Sequence, residues 1–157
     1  MHEVDTQRVV YGSYGQLWLD GDEIAEVISC KATLTAQKTA IKRSRHLVDG
    51  YKTTGYEAKG SIKLHKVSSY LIKKLAPAIK EGKQVKFTLI SKLDDPNALG
   101  AERIALYGVM FDAVDLINWE LGKVGEEDQN FTFEDFDLLD LIDEDKEKKH
   151  ERTRTAA

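Results

Sequence analysis

The chain is short of most features that mark a catalyst or a secreted scaffold. Cysteine occurs once, at Cys30, which excludes an intrachain disulfide and a cysteine metal cluster. Its place in an alternating run predicts a small, buried, apolar side chain. No apolar run approaches the roughly 20 residues needed to span a bilayer. The segment MHEVDTQRVV lacks the long apolar core of a secretory signal. A soluble protein made in a reducing compartment is therefore expected. Positive charge is not in excess: the net charge is −4, which argues against nucleic acid as the partner of the whole chain.

Chemistry-bearing motifs are equally scarce. The four histidines, His2, His46, His65 and His150, form no close-spaced ligand pair. FTFEDFDLLDLIDED is dense in acids but lacks the D-x-D-x-D-G order of a calcium loop. GYKTTG places a lysine between glycines without the spacing or context of a phosphate-binding loop. Nucleophile elbow, paired-carboxylate motif and dinucleotide fingerprint are all missing. The sequence assigns no catalytic residue, no cofactor-binding residue and no metal ligand, and the expected role is non-enzymatic.

What is present is alternation of apolar and polar residues. At 157 residues one domain with its own core is expected over 1–145, with 146–157 a disordered, charged tail whose removal should be tolerated. Residues 1–14 read as an arm or frayed lead-in. In YGQLWLDGDEIAEV, Leu17 and Leu19 share one strand face, and Asp20-Gly21 signals a two-residue hairpin. The return strand runs on to Leu34, with a slip of parity near Val27-Ile28 that predicts a bulge. In GYEAKGSIKLHKV, Tyr56, Ala58, Gly60, Ile62 and Leu64 line one face, and Glu57, Lys59, Ser61, Lys63 and His65 the other.

Ser68 or Ser69 then caps a helix whose stripe is Leu71, Ile72, Leu75, Ala76 and Ile79. Gly82 stops it, and Pro77 predicts a kink or early end. QVKFTLISKL is a further strand. ERIALYGVMFDAVDLINWEL is too long for a flat strand and should break near Asp112 to Asp115. A shift at Glu134-Asp135 should move Phe136 to the parity opposite Phe131 and Phe133. Six to eight strands with one helix make a β-rich α+β fold: an antiparallel sandwich or half-barrel with one flanking helix and a long extended arm between strands.

That arm, residues 37–54, carries Lys38, Lys42, Arg43, Arg45 and Lys52 against the single acid Asp49. Its apolar residues follow neither a helix nor a strand period, so it reads as a long loop with a function. Its counterpart is the stretch 126–145, with ten carboxylates and no Lys or Arg. Glu126, Glu127, Asp128, Glu134, Asp135 and Asp137 are the candidate acidic strip. Opposite charges steer association, but exposed pairs contribute only about 0–1 kcal/mol each. Ile41, Leu47, Val48 and Tyr51, beside His46 in the arm, must therefore supply much of the holding energy. Self-assembly is the first reading. The alternative is a monomeric β-barrel module binding nucleic acid or an acidic ligand through the basic loop, although Tyr51 alone offers a stacking face there.

The order YGQLWLDGDEIAEV, DGYKTTGYEAKGSIKLHKVSS, one helix, KFTLISKLDD, ERIALYGVMFDAVDL and NFTFEDFDLL resembles the tail tube proteins of contractile phage tails and of PBSX-like defective prophage particles, from about Tyr14 to Leu139. The resemblance implies hexameric rings stacked into a rigid hollow tube, for DNA passage or envelope piercing, with sheets joined edge to edge and the long arm reaching a neighbour. It implies sheath, tape-measure and baseplate proteins as partners, and DNA passing without specific binding. It also implies location in a virion tail or tail-like particle, after synthesis and assembly in the host bacterial cytoplasm. The polar face of residues 55–66 is the choice for the bore, provided Glu57 and other acids offset Lys59 and Lys63.

Overall fold

A computed structural model describes residues 4–143; the expected tail 146–157, with His150, and His2 lie outside them. The described residues contain eight strands and one α-helix. The strands are β1 (Gly15–Leu19), β2 (Asp22–Glu23), β3 (Val27–Ile41), β4 (Gly50–His65), β5 (Phe87–Leu93), β6 (Glu102–Phe111), β7 (Glu126–Thr132) and β8 (Asp135–Asp140), and the helix is α1 (Tyr70–Lys80). Hydrogen bonding runs in the order β2-β1-β5-β6-β7-β4-β3, with β8 also on β6. The expected class, β-rich α+β with antiparallel ladders and one helix, is the one observed. The chain forms two compact units, with β6 passing from one into the other.

The first unit takes residues up to 25, 86–108 and those from 135. Leu17 and Leu19 are buried on β1 while Trp18, of opposite parity, is not. The chain then reverses at Asp20-Gly21, with φ of 50° and 85°. Positive φ at both central residues belongs to the hairpin turn whose twist matches its strands, which is why Asp-Gly sits there. The Asp20 carboxylate also accepts from the Thr88 amide at 2.8 Å, tying the turn to β5. Ile24, Phe87, Leu89, Ala105 and Leu106 complete the apolar core of this unit. The lead-in is anchored: buried Asp95 accepts from the Tyr11 amide at 3.0 Å and the Asn97 amide at 2.9 Å.

The second unit takes residues 26–85 and 109–134. Its buried apolar side chains are Ile62, Leu64, Leu71, Leu75, Val109, Phe131 and Phe133. Gly60 stands opposite Phe131 in the β4–β7 ladder. A Cβ there would lie 2.4 Å from the Phe131 ring and 2.5 Å from the Lys31 carbonyl, so only glycine lets the ring cross the strand.

Several expectations are met. A register shift falls between Val27 and Ser29, β6 ends at Phe111 just before Asp112, and the last strand breaks before Asp135, leaving Phe136 exposed while Phe131 and Phe133 are buried. Others are corrected. The helix continues through Pro77 to Lys80, stopping where Gly82 adopts φ 69°; Ile79, assigned to the apolar stripe, is exposed. Cys30 is exposed rather than buried, although enough water is excluded from its thiol to push the pKa up to about 11.

Candidate assembly surface

The arm expected to be a long loop is mostly sheet. Residues 37–41 belong to β3 and 50–54 to β4, so the connection shrinks to 42–49. Strands β3 and β4 pair from Val27↔Leu64 out to Ile41↔Gly50, with a second register shift between Gln37 and Lys38. There Gln37 pairs Gly55 and Lys38 pairs Thr53, leaving Thr54 as the inserted residue; its hydroxyl donates to the Gln37 carbonyl at 3.2 Å. A one-residue insertion flips everything beyond it. Tyr51 and Tyr56 have opposite parity in the sequence, yet the bulge places them on one face. It also explains why no strand period was readable across 37–54.

Residues directly opposite each other in an antiparallel pair share a face. One face of the ribbon thus carries the pairs Cys30–Ile62, Ala32–Gly60, Leu34–Ala58, Ala36–Tyr56 and Ala40–Tyr51, with the polar pair Lys38–Thr53 between the last two. This apolar face changes character along its length. Ile62 is 1% exposed and Leu64 is buried, whereas Tyr56 is 69% exposed, and Leu34 and Tyr51 are exposed as well. The amphipathic pattern outruns the core that its own chain supplies.

The opposite face is polar with both signs of charge. Lys59 donates to Glu57 at 2.8 Å, and Lys63 pairs with Glu126 at 3.1 Å. The hydrogen bond to Glu57 holds the Lys59 pKa above the usual lysine value. Glu126 and Asp128 stand opposite His65 and Lys63 on this side.

At the tip the candidate arm residues are exposed: Lys38, Ile41, Lys42, Arg43, Arg45, His46, Leu47, Val48, Tyr51 and Lys52. They do not all face outward as free cations. Arg43 Nη2 donates to the Val48 carbonyl at 3.2 Å and lies beside Gly50, bracing the turn. Arg45 takes φ 64°, and the His46 amide donates to the Arg43 carbonyl at 3.3 Å.

The six acids of the candidate strip do not form one strip. Strand alternation sends Glu127 to the buried side, where it pairs with Lys66 at 3.4 Å, away from Glu126 and Asp128. Glu126 is engaged by Lys63. Glu134 lies beyond the end of β7, and Asp135 and Asp137 lie on the exposed β8 of the first unit.

Sequence reading missed a second surface. Residues 112–125 form a loop pinned at both ends, by the Asp112 amide on the Asn130 carbonyl (3.0 Å) and the Lys66 amide on the Gly125 carbonyl (2.9 Å). Leu116, Ile117, Trp119, Leu121 and Val124 are all well exposed there. LINWEL lies beyond the break expected near Asp112 to Asp115, and its apolar content, not its period, is the informative part.

No group of three or more His, Cys, Asp or Glu able to hold a metal occurs among the described residues. The family model for phage tail tube proteins matches residues 2–140. The chain belongs to the phage tail tube protein family. It is a structural component of a phage tail or tail-like particle. The phage-like element PBSX protein XkdM of Bacillus subtilis (strain 168) is 33% identical over 138 residues, covering 87% of this chain and 94% of the relative. Two solved structures share the fold of this tail tube chain. A chain in the anti-feeding prophage tube-terminating cap has a TM-score of 0.67 at 6% identity, over 89% of this chain and 97% of that one. A chain in the extended sheath-tube complex of an extracellular contractile injection system, PVC, has a TM-score of 0.66 at 5% identity, over 88% and 100%.

Proposed function

We propose that this chain polymerises into stacked hexameric rings forming the rigid inner tube of a contractile tail, with the β3–β4 ribbon as its main reach to neighbouring copies. One observation carries the reading: the ribbon's apolar face continues past its own core, from buried Ile62 and Leu64 to exposed Leu34, Tyr51 and Tyr56. Exposed apolar surface of this kind marks an interaction site. The sheet order also leaves β3 at one end and β2 at the other. A head-to-tail contact through unlike patches closes into a ring when the rotation permits, and joining edges between copies removes the hazard of open strands.

The finer parts of the reading follow from the polar face. Its lysines Lys59 and Lys63 each have a carboxylate of the same chain within 3.1 Å. A surface compensated in this way holds phosphate weakly, because little counterion release is gained. This face is assigned to the bore, through which DNA passes without specific binding or which serves a tube that pierces an envelope. A sheath encloses the tube, a baseplate nucleates it and a tape-measure protein fills it, all assembled in the bacterial cytoplasm. The test is negative-stain microscopy of concentrated protein beside Leu34→Asp. Rings or tubes from the parent chain and none from the variant support the reading; regular tubes from both would refute the role of the ribbon face.

A further inference from the structure

We infer that the loop 112–125 is the receptor for the ribbon tip, residues 41–51, of a second copy of this chain; this rests on the assembly reading above and names the surface that the ribbon meets. The loop is built rather than slack. Beyond its two pinned ends, the Lys123 amide donates to the Glu120 carbonyl at 3.2 Å, the Glu120 and Lys123 side chains pair at 3.0 Å, and Gly122 turns the chain at φ 80°. The Asn118 side chain reaches the Asp115 carboxylate at 3.5 Å. Held in this shape, the loop displays five large apolar side chains with exposures from 65% to 88%, Trp119 among them at 76%. A compact loop with closed ends that turns its apolar residues outward has the form of a binding element.

Charge complementarity selects the occupant. The loop carries Asp112, Asp115 and Glu120 against the single Lys123. The ribbon from 38 to 52 carries five cations against the single Asp49. Both surfaces also expose apolar groups, Leu47 and Val48 at the tip and Ile117 and Trp119 on the loop. Apolar anchors ringed by opposite charges fit the anatomy of an interface, where the buried centre holds and the charged rim steers. Tip and loop are different patches, so each copy offers one and receives the other, and the contact propagates from copy to copy. The acids that matter for the tip are therefore those of residues 112–120, not the β7–β8 carboxylates that the sequence pointed to.

The test uses full-length chains in which Cys30→Ser removes the native thiol. Two variants, Leu47→Cys and Trp119→Cys, are mixed under assembly conditions and oxidised. A second preparation, Trp18→Phe, leaves Trp119 as the only indole for acrylamide quenching. Assembly with an interchain 47–119 disulfide, at least about fivefold protection of Trp119 from quenching, and loss of that protection in Leu47→Asp would support the inference. Assemblies that form while Trp119 stays fully quenchable would overturn it and leave the tube reading standing. Trp119 protected without the disulfide would overturn it too, since something other than the tip then covers the loop. Protein that remains monomeric at every concentration and with any nucleating seed would overturn both.

Discussion

The two ends of the β3–β4 ribbon follow one rule of patterning and meet opposite fates. At the base, Gly60, Ile62 and Leu64 alternate with polar neighbours; the Phe131 ring crosses Gly60, and Ile62 and Leu64 are buried within their own chain. At the far end, Leu34, Tyr51 and Tyr56 continue the same apolar face and remain exposed. Alternation specifies which side of a strand seeks cover. It carries no information on whether the cover comes from the same chain. A ribbon whose base is finished internally and whose end is not is the form that the proposed polymer requires.

Gly60→Ala attacks the finished end and should have the largest effect on folding. The new methyl meets the Phe131 ring and a backbone carbonyl, and overpacking of this kind costs about 3 kcal/mol. Denaturant unfolding should show that loss, and an unchanged midpoint would mean that base and end are not different. Inserting one alanine between Gln37 and Lys38 attacks the unfinished end. It gives Thr54 a partner, removes the bulge and turns Tyr51 to the face opposite Tyr56; sedimentation should show assembly abolished while monomer stability changes by less than about 0.5 kcal/mol.

Replacing Lys42, Arg43 and Arg45 together with Glu should also block polymerisation and leave the monomer's Tm nearly unchanged, with only the 42–49 turn loosened by loss of the Arg43 bond to Val48. Tubes of normal length from that variant would refute the steering role of the tip. Tyr56→Ala is milder: the critical concentration should rise about tenfold, as for loss of a single aromatic anchor, without change in monomer unfolding.

The smallest effect sharpens the boundary between the two ends. Cys30 lies on the apolar face near the base, with its thiol held at a pKa of about 11. Only the thiolate reacts, so a raised pKa slows alkylation below it. Against the ordinary value of 9.0, the reactive fraction near pH 8 falls about a hundredfold. The alkylation rate should climb with pH until about 11 in the monomer and fall further on assembly if neighbouring copies cover this stretch of the face.

Much of the fold was readable because local chemistry dictated it. Asp-Gly needs positive φ, the parity slip at Val27-Ile28 forces an inserted residue, and Asp112 cannot extend an apolar strand. The ribbon was hidden by Thr54. A polar residue in a bulge leaves no mark on composition while inverting the period that identifies a strand. Cys30 was misplaced because its face is apolar without being covered. The acidic strip dissolved because neighbouring carboxylates on a strand point to opposite sides, and Lys63 and Lys66 claimed two of them. The 112–125 loop was passed over since apolar content is normally read as core. In each case the missing information was what lies across from a face, which in the proposed assembly is partly another molecule.

A density map of the assembled polymer tests the central claim most directly. The account predicts that Leu34, Tyr51 and Tyr56 are each packed against side chains of a different copy. Density showing that face open to solvent, or folded down onto the core of its own chain, would contradict it.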